Sequence, residues 1–459
     1  MLLTVEKLIY GGDGLARVAA SDDSRATTVL VPFVLPSEKV DADLVQQKPG
    51  FARGSVSQII EPSPDRIEPR CPYFARCGGC HYQHIPYQRQ LEFKSQILRE
   101  TLERVGKIKL ASDIRVHPSP PWNYRNRTRL QIRTEVGTEA RTEVPTDVRT
   151  EARATPDFAL GYFRFNSHEF LPVRECPISS PLINRLIAQL TDLKGLDCPS
   201  SIEELELFAD SADDHLLAWA FCARDANPAD LLRWAESLRR EFPNLLGIHF
   251  FSSRRRFNKE KEDDDDAPAD TKSLAQSGNQ SLLYRTAHAE YQVSAGSFFQ
   301  VNRHLIDDLV STVIPNSDDD LALDLYAGVG LFSVPLAGSF HHIFAVEASQ
   351  TSFTDLRHNV PAVVKAVGAR TEDYLRSRYV RKRPDLVVLD PPRTGIGKTV
   401  TRSLVELAPR QIRYVSCDPA TLARDIASLV AAGYRIEEAH MFDLFPQTFH
   451  IESVMLLAR

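Results

Sequence analysis

Asp385-Leu-Val-Val-Leu-Asp-Pro-Pro-Arg393, followed after a helix-length spacer by Tyr414-Val-Ser-Cys-Asp-Pro419, decides the fold. Each segment is a short apolar run ending in a reactive side chain, Asp390 in the first and Cys417 in the second. Short apolar runs separated by a helical spacer predict buried parallel strands. Ligands of open α/β sheets sit outside the carboxyl ends of such strands. Asp390 and Cys417 are therefore expected at one crevice, and a thiol beside a carboxylate points to covalent chemistry on something bound there.

Downstream, strands are predicted near residues 435–440 and 451–457, joined by a short non-helical spacer. Such a pair reads as an antiparallel hairpin. The reversal returns the start of the last strand to the edge where the parallel strands end, so Glu452 is expected to join Asp390 and Cys417. Upstream, Leu321-Ala-Leu-Asp324-Leu-Tyr326-Ala-Gly328-Val-Gly330 reads as a strand entering a glycine-rich turn, and His342-Ile-Phe-Ala-Val-Glu347 reads as the next strand. Glycines allow close backbone approach to a ligand, and an acid at the second strand's end can bind both ribose hydroxyls. Asp324, Gly328, Gly330 and Glu347 in this order point to an adenosine-containing cofactor. The turn lacks the third glycine of the dinucleotide fingerprint, which favours S-adenosylmethionine over NAD.

The N-terminal 62 residues read as short strands broken by turns, among them Gly11-Gly12-Asp13-Gly14, and predict a small β-barrel, with the strand pattern leaving open whether it is an anonymous β domain or a nucleic-acid-binding barrel of the OB type. A proline-bearing linker leads to Cys71-Pro-Tyr-Phe-Ala-Arg-Cys77-Gly-Gly-Cys80. Three thiols this close suit a four-cysteine cluster, with Cys176 of Arg174-Glu-Cys-Pro177 as the fourth. Structural zinc also suits four cysteines, but the spacing lacks the paired arrangement of zinc ribbons and favours iron–sulfur. Residues 63–290 are expected to form this segment and an α+β middle domain with two disordered inserts, 134–156 and 258–280. Tyr124 to Arg133 alternates like a strand and carries four arginines, a face that can meet phosphates. Residues 291–459 form the third expected domain.

The chain's 459 residues are 43% hydrophobic and 25% charged, an ordinary globular composition. No run is long enough to span a bilayer and the start has no signal-peptide pattern, so no membrane partner is expected and the cytoplasm is the default residence. The net charge of −6 argues against wholesale nucleic-acid affinity, although local patches decide binding. An odd count of seven cysteines fits a reducing compartment.

Ser416-Cys-Asp-Pro-Ala-Thr-Leu-Ala-Arg-Asp425 and Phe445-Pro-Gln-Thr-Phe-His-Ile-Glu452, with the cysteine segment, carry a resemblance. The chain resembles the bacterial RNA uracil-C5 methyltransferases that join a TRAM barrel, an iron–sulfur segment and a class I, Rossmann-like methyltransferase domain, and most of all their 23S ribosomal RNA members. The resemblance covers nearly everything except the two inserts. It implies a multidomain α/β architecture, a [4Fe-4S] cluster on Cys71, Cys77, Cys80 and Cys176, and methyl-donor contacts from Gln300, Tyr326, Glu347 and Asp390. It departs from the family at Leu331 and Arg370, where members often place polar or acidic contacts. Uracil C5 is a poor nucleophile until a thiolate adds to C6, after which a base must remove the C5 proton. Cys417 and Glu452 are the expected nucleophile and base, with Asp418 turned away from the thiol. The expected substrate is 23S ribosomal RNA, with transfer RNA as the alternative, and the expected state is a monomer. Two rivals differ in class. Asp390-Pro-Pro also suits amino-methylating enzymes, although Arg393 replaces their aromatic. The barrel and arginine strand alone would suit a non-enzymatic RNA-binding protein.

Overall fold

The computed structural model describes residues 1–18, 26–134, 158–192, 198–252, 272–377 and 382–459. The N-terminal strands Leu2–Leu8, Gly14–Val18, Thr27–Val31, Lys39–Lys48 and Phe51–Glu61 close into a barrel in the order first, second, third, fifth, fourth. Leu3, Val5, Val29, Val31 and Val40 fill its interior, as the period-two alternation requires. The Gly11-Gly12 turn has both residues at positive φ, a conformation that glycine adopts without strain.

The C-terminal half is built on an eight-stranded sheet. Its order is Val364–Gly368, Phe340–Glu347, Asp319–Leu325, Leu386–Leu389, Gln411–Ser416, Glu452–Ala458, Arg435–Phe442 and Arg115–His117. The first five strands are mutually parallel, and Glu452–Ala458 runs antiparallel to both of its neighbours. Leu386-Val-Val-Leu389 is buried on both faces, which is why its sequence is an unbroken apolar run. Leu325 pairs with both Val346 and Leu389, so three strand ends lie flush along one edge. Glu347, Asp390 and the Tyr326 turn are thereby brought to that edge.

A seven-stranded sheet forms the middle of the molecule, in the order Ser273–Gly278, Leu245–Ser252, Leu216–Cys222, Ile202–Ala209, Arg127–Arg133, Ala159–Phe163 and Phe170–Pro172. Helices Pro181–Asp192 and Pro228–Glu241 pack their apolar faces on it. Two expectations need correction here. Residues 273–278 are a strand paired with Leu245–Ser252 and not part of an insert. Ser273-Leu-Ala-Gln-Ser-Gly278 simply has the length and pairing partner of an edge strand. Residues 135–156 and 258–271 of the expected inserts lie outside the described residues. Some elements of residues 63–290 pack with the C-terminal sheet: helix Tyr87–Arg104 shares a core with Leu422 and Ile426, strand Arg115–His117 ends the eight-stranded sheet, and the hairpin Ser281–Arg285/Glu290–Ser294 packs with Leu309 and Phe332. Finally, the arginine strand is spent internally. Arg127 and Arg129 both pair with the buried Glu206 of the neighbouring strand, whose carboxyl they hold low against the opposing effect of burial. Among the described residues, no helix is long and apolar enough to cross a membrane.

Candidate active site

Cys417 follows strand Gln411–Ser416, and Glu452 opens the antiparallel strand beside it. Ser416 pairs with Ser453, so the next step of that ladder sets Cys417 across from Glu452. Asp418 caps helix Pro419–Ala431, accepting from the N–H groups of Ala420 at 3.0 Å and Thr421 at 2.8 Å. Its carboxylate is thus occupied by the helix start, the role an Asp before a Pro at the first helical position is suited to. Ser453 Oγ donates to the Ser416 carbonyl at 3.2 Å, and Tyr10 of the barrel donates to the Cys417 carbonyl at 3.2 Å.

The electrostatics are those of a crowded anionic crevice. Burial pushes the Cys417 thiol well up, the Glu452 charge adds to this, Arg393 opposes it, and Asp390 raises it further. Glu452 is 4% exposed, and burial followed by the Asp390 charge lifts its carboxyl far above the usual range, again opposed by Arg393. Burial, with the charge of Arg393, keeps the neighbouring His450 neutral. Arg393 is therefore the cation that faces all three groups. Its importance was not legible at the sequence level, because a charge after Asp-Pro-Pro has no periodicity to read.

Glu347 ends its strand with both carboxylate oxygens engaged, by Gly328 N–H at 2.8 Å and Ser349 N–H at 2.6 Å. Gly328 (φ +56°) has no atom within 4 Å of where a Cβ would stand, so the turn opens on free space. Gly330 lies at φ +100°. Tyr326 is at φ +65°, a strained value for a non-glycine residue at the strand-to-turn corner. Gln300 is buried, and its Nε2 donates to Asp390 Oδ2 at 3.4 Å. Asp324 is fully buried, accepts from Ser333, and leaves Oδ1 without a hydrogen-bond partner among the described residues. Burial pushes its carboxyl up to about 7, the Ser333 hydroxyl opposing and the Asp390 and Glu347 charges reinforcing. An open glycine turn bordered by acidic strand ends fits an adenosine-bearing, cationic ligand.

A cavity of about 410 Å³ adjoins this crevice. Cys71, Cys77, Cys80 and Cys176 line it together with Arg125, and it extends to Arg393. Burial holds Cys71 up to about 11 and Cys77 up to about 12. Gly79 N–H donates to Cys77 Sγ at 3.4 Å. Among the described residues, no three or more His, Cys, Asp or Glu side chains converge on a single ion position. The four thiols share the lining of that one cavity.

Known proteins share this architecture. The family model described as tRNA (Uracil-5-)-methyltransferase matches residues 276–367 and 373–459. The 23S rRNA (uracil(1939)-C(5))-methyltransferase RlmD of Chromohalobacter salexigens is 31% identical, over 100% of this chain and 89% of that protein. The enzyme of the same name from Halomonas elongata is 30% identical, over 99% and 89%. The solved structure of the Pyrococcus abyssi tRNA (uracil-54, C5)-methyltransferase, in complex with S-adenosyl-L-homocysteine, superposes over the whole of both chains with a TM-score of 0.69 at 22% identity, a likeness of fold.

Proposed function

The chain belongs to the RNA uracil-C5 methyltransferase family, and from that premise we propose that it methylates a uridine of 23S ribosomal RNA through a covalent adduct on Cys417, with Glu452 as the base. The observation that carries this reading is the cross-strand placement of Cys417 and Glu452 at one crevice, beside Asp390 and Arg393.

The enzyme uses S-adenosylmethionine, whose sulfonium supplies an electrophilic methyl group. Glu347, Gln300, Tyr326, Asp390 and the Gly328–Gly330 turn are the residues proposed to hold it. The target base must leave its stack to enter the crevice. The Cys417 thiolate adds to C6, forming an S–C6 bond while the C5=C6 electrons move onto the C4 carbonyl oxygen. C5 then takes the methyl, and the donor departs as a neutral thioether. Glu452 removes the C5 proton, the C5=C6 bond re-forms, and the S–C6 bond breaks to release the thiolate. A carboxylate held high by burial is a stronger base than a solvated one, which suits proton removal from carbon. The bound sulfonium and Arg393 supply positive charge that favours both ionised groups.

Cys71, Cys77, Cys80 and Cys176 are proposed to hold a [4Fe-4S] cluster, which would hold the middle region in shape or contact RNA and would take no step of the methylation. Guanidinium groups of Arg125 and Arg393 at the same cavity would balance its charge.

The reading is tested with unmodified 23S ribosomal RNA and transfer RNA transcripts side by side. Each is incubated with the protein and S-adenosylmethionine, and 5-methyluridine is located by nuclease digestion and mass spectrometry. One methylated uridine in the ribosomal transcript alone is expected. Product in transfer RNA alone would retain the mechanism and replace the substrate. Methylated adenine or cytosine, formed equally by a Cys417→Ala variant, would overturn the covalent route.

A further inference from the structure

Residues 443–451 deliver Glu452 to the crevice, yet they contain no regular element of their own. They are gripped from helix Tyr87–Arg104 and the turn before it. Gln90, 0% exposed, accepts from Gln447 N–H at 3.0 Å and donates through Nε2 to Gln447 Oε1 at 3.0 Å. The same Nε2 lies 3.1 Å from the Tyr82 carbonyl and 2.9 Å from that of Ile85. The Gln447 carbonyl accepts from both His81 N–H and Tyr82 N–H at 2.9 Å. One turn along the helix, Lys94, also 0% exposed, pairs with Asp443 at 2.7 Å and donates to the Phe445 carbonyl at 2.9 Å. Tyr124 donates to the Pro446 carbonyl at 3.0 Å. Gln447 sits at φ +69°, a value that a non-glycine residue keeps only when its surroundings impose it.

This is more polar machinery than stability requires. A buried ion pair is often no more stabilising than packed apolar residues of the same volume. What it adds is a defined position. Gln90 and Lys94 lie four residues apart, hence on one helix face. Between them they hold both ends of the Asp443–Gln447 stretch, five residues before the carboxylate. Only an amide can give and receive at Gln447 as Gln90 does.

We propose that Gln90 and Lys94 are positioning residues for proton removal: helix Tyr87–Arg104 sets where the Glu452 carboxylate stands, and the His81-Tyr82 backbone shares in that grip. The proposal rests on Glu452 being the base. It places the consequence of losing the grip late in the reaction, after the thiol has added and the methyl has moved.

The test uses full-length protein, S-adenosylmethionine, and ribosomal RNA transcript labelled with tritium at uridine C5. Single-turnover reactions read three quantities: the rate of covalent RNA–protein adduct formation on denaturing gels, the rate of tritium release, and RNA affinity. In Gln90→Met, tritium release falls at least about tenfold and the adduct accumulates. Adduct formation and RNA affinity stay within about twofold of the wild type, since the thiol and its strand are untouched. Glu452→Gln serves as reference and accumulates the same adduct. A fall of adduct formation in parallel with tritium release would show a merely structural role and overturn the proposal, as would wild-type behaviour of Gln90→Met. If Gln90→Met does not fold, Gln447→Gly keeps the positive φ and the backbone contacts while losing the side-chain one. The same pattern, smaller, is then expected, and its absence is fatal. If Glu452→Gln itself accumulates no adduct, the assignment of the base fails, and that result is distinct from a failure of the grip.

Discussion

At the scale of single residues, the crevice is a place where two acids, Glu452 and Asp390, and a thiol share one unfavourable environment. Cys417, which must ionise to attack, and Glu452, which must be ionised to accept the C5 proton, are both held up by burial and by the charge of Asp390, and the Glu452 charge raises Cys417 further. Their ionised fractions therefore rise with pH, and so should the rate of adduct formation at saturating donor. We expect a climb of roughly tenfold per pH unit on the acid side, levelling only where the bound sulfonium has brought the thiol into range. Stopped reactions between pH 6 and pH 9 measure it, and a flat profile would mean that the thiol is already ionised. Cys417→Ala should lose at least about 10⁴-fold in turnover, with donor affinity unchanged by calorimetry. Asp324 gives a separate pH signature in stability. Its folded carboxyl lies at about 7, above its ordinary value of 3.8. A raised folded value means that the protonated form is the one that folding favours. Its contribution is fully present below about pH 4 and is lost as pH rises through 7. Asp324→Asn removes that loss, so the variant should gain about 4 kcal/mol over the parent at pH 8 and almost nothing at pH 4. Thermal melts at the two pH values decide it.

At the scale of elements, some of this site could be read before any coordinates and some could not. The ends of the strands at Glu347, Asp390 and Cys417 were legible because a buried parallel strand is a continuous apolar run, and the residue that ends the run sits at the ligand edge. Glu452 followed from the shortness of its spacer, which permits only a reversal. The grip on Gln447 was illegible, because Gln90 and Gln447 are 357 residues apart and a lone glutamine on a helix face looks like a solvated one. The arginine strand misled for the complementary reason. Alternation reveals that Arg127 and Arg129 share a face but not that Glu206 lies on the next strand over. The elements also differ in what their loss should cost. Asp418→Ala removes the cap of the helix that follows Cys417, and about 1 kcal/mol of stability with it. Lys94→Met strands a buried carboxylate at Asp443 and should cost about 3–5 kcal/mol. Urea denaturation separates the two, and an equal small effect would mean that water reaches Asp443.

At the scale of the whole molecule, the barrel is part of the catalytic core. Leu8 and Leu35 pack in the same cluster as Leu389, Tyr414 and Ile451. Phe33, at the barrel's outer turn, stacks edge-on with Phe74 and Phe165 of the middle segment, at 5.3 and 4.7 Å between ring centroids. Arg66 ties the linker to the fully buried Glu38 at 2.6 Å, and Lys7 pairs with Glu100 on the gripping helix. Tyr10 packs edge-on against Phe449 at 5.6 Å while donating to the Cys417 carbonyl. An RNA-binding module that is only tethered should be removable at a cost in affinity alone. This one, when removed, bares apolar surface of the shared core and leaves the Cys417 carbonyl without its donor. Deletion of residues 1–62 should therefore lower the melting temperature of the remaining chain and abolish turnover even at RNA concentrations far above the wild-type dissociation constant. The milder Tyr10→Phe change should lower the rate of adduct formation about fivefold with RNA affinity intact, the effect of one lost hydrogen bond of about 1 kcal/mol. Differential scanning calorimetry supplies the decisive reading. If barrel and catalytic half share a core, the intact chain's barrel melts in the same transition as the catalytic sheet. Two well-separated transitions, with the truncated chain reproducing the upper one, would show that the barrel is an appendage after all.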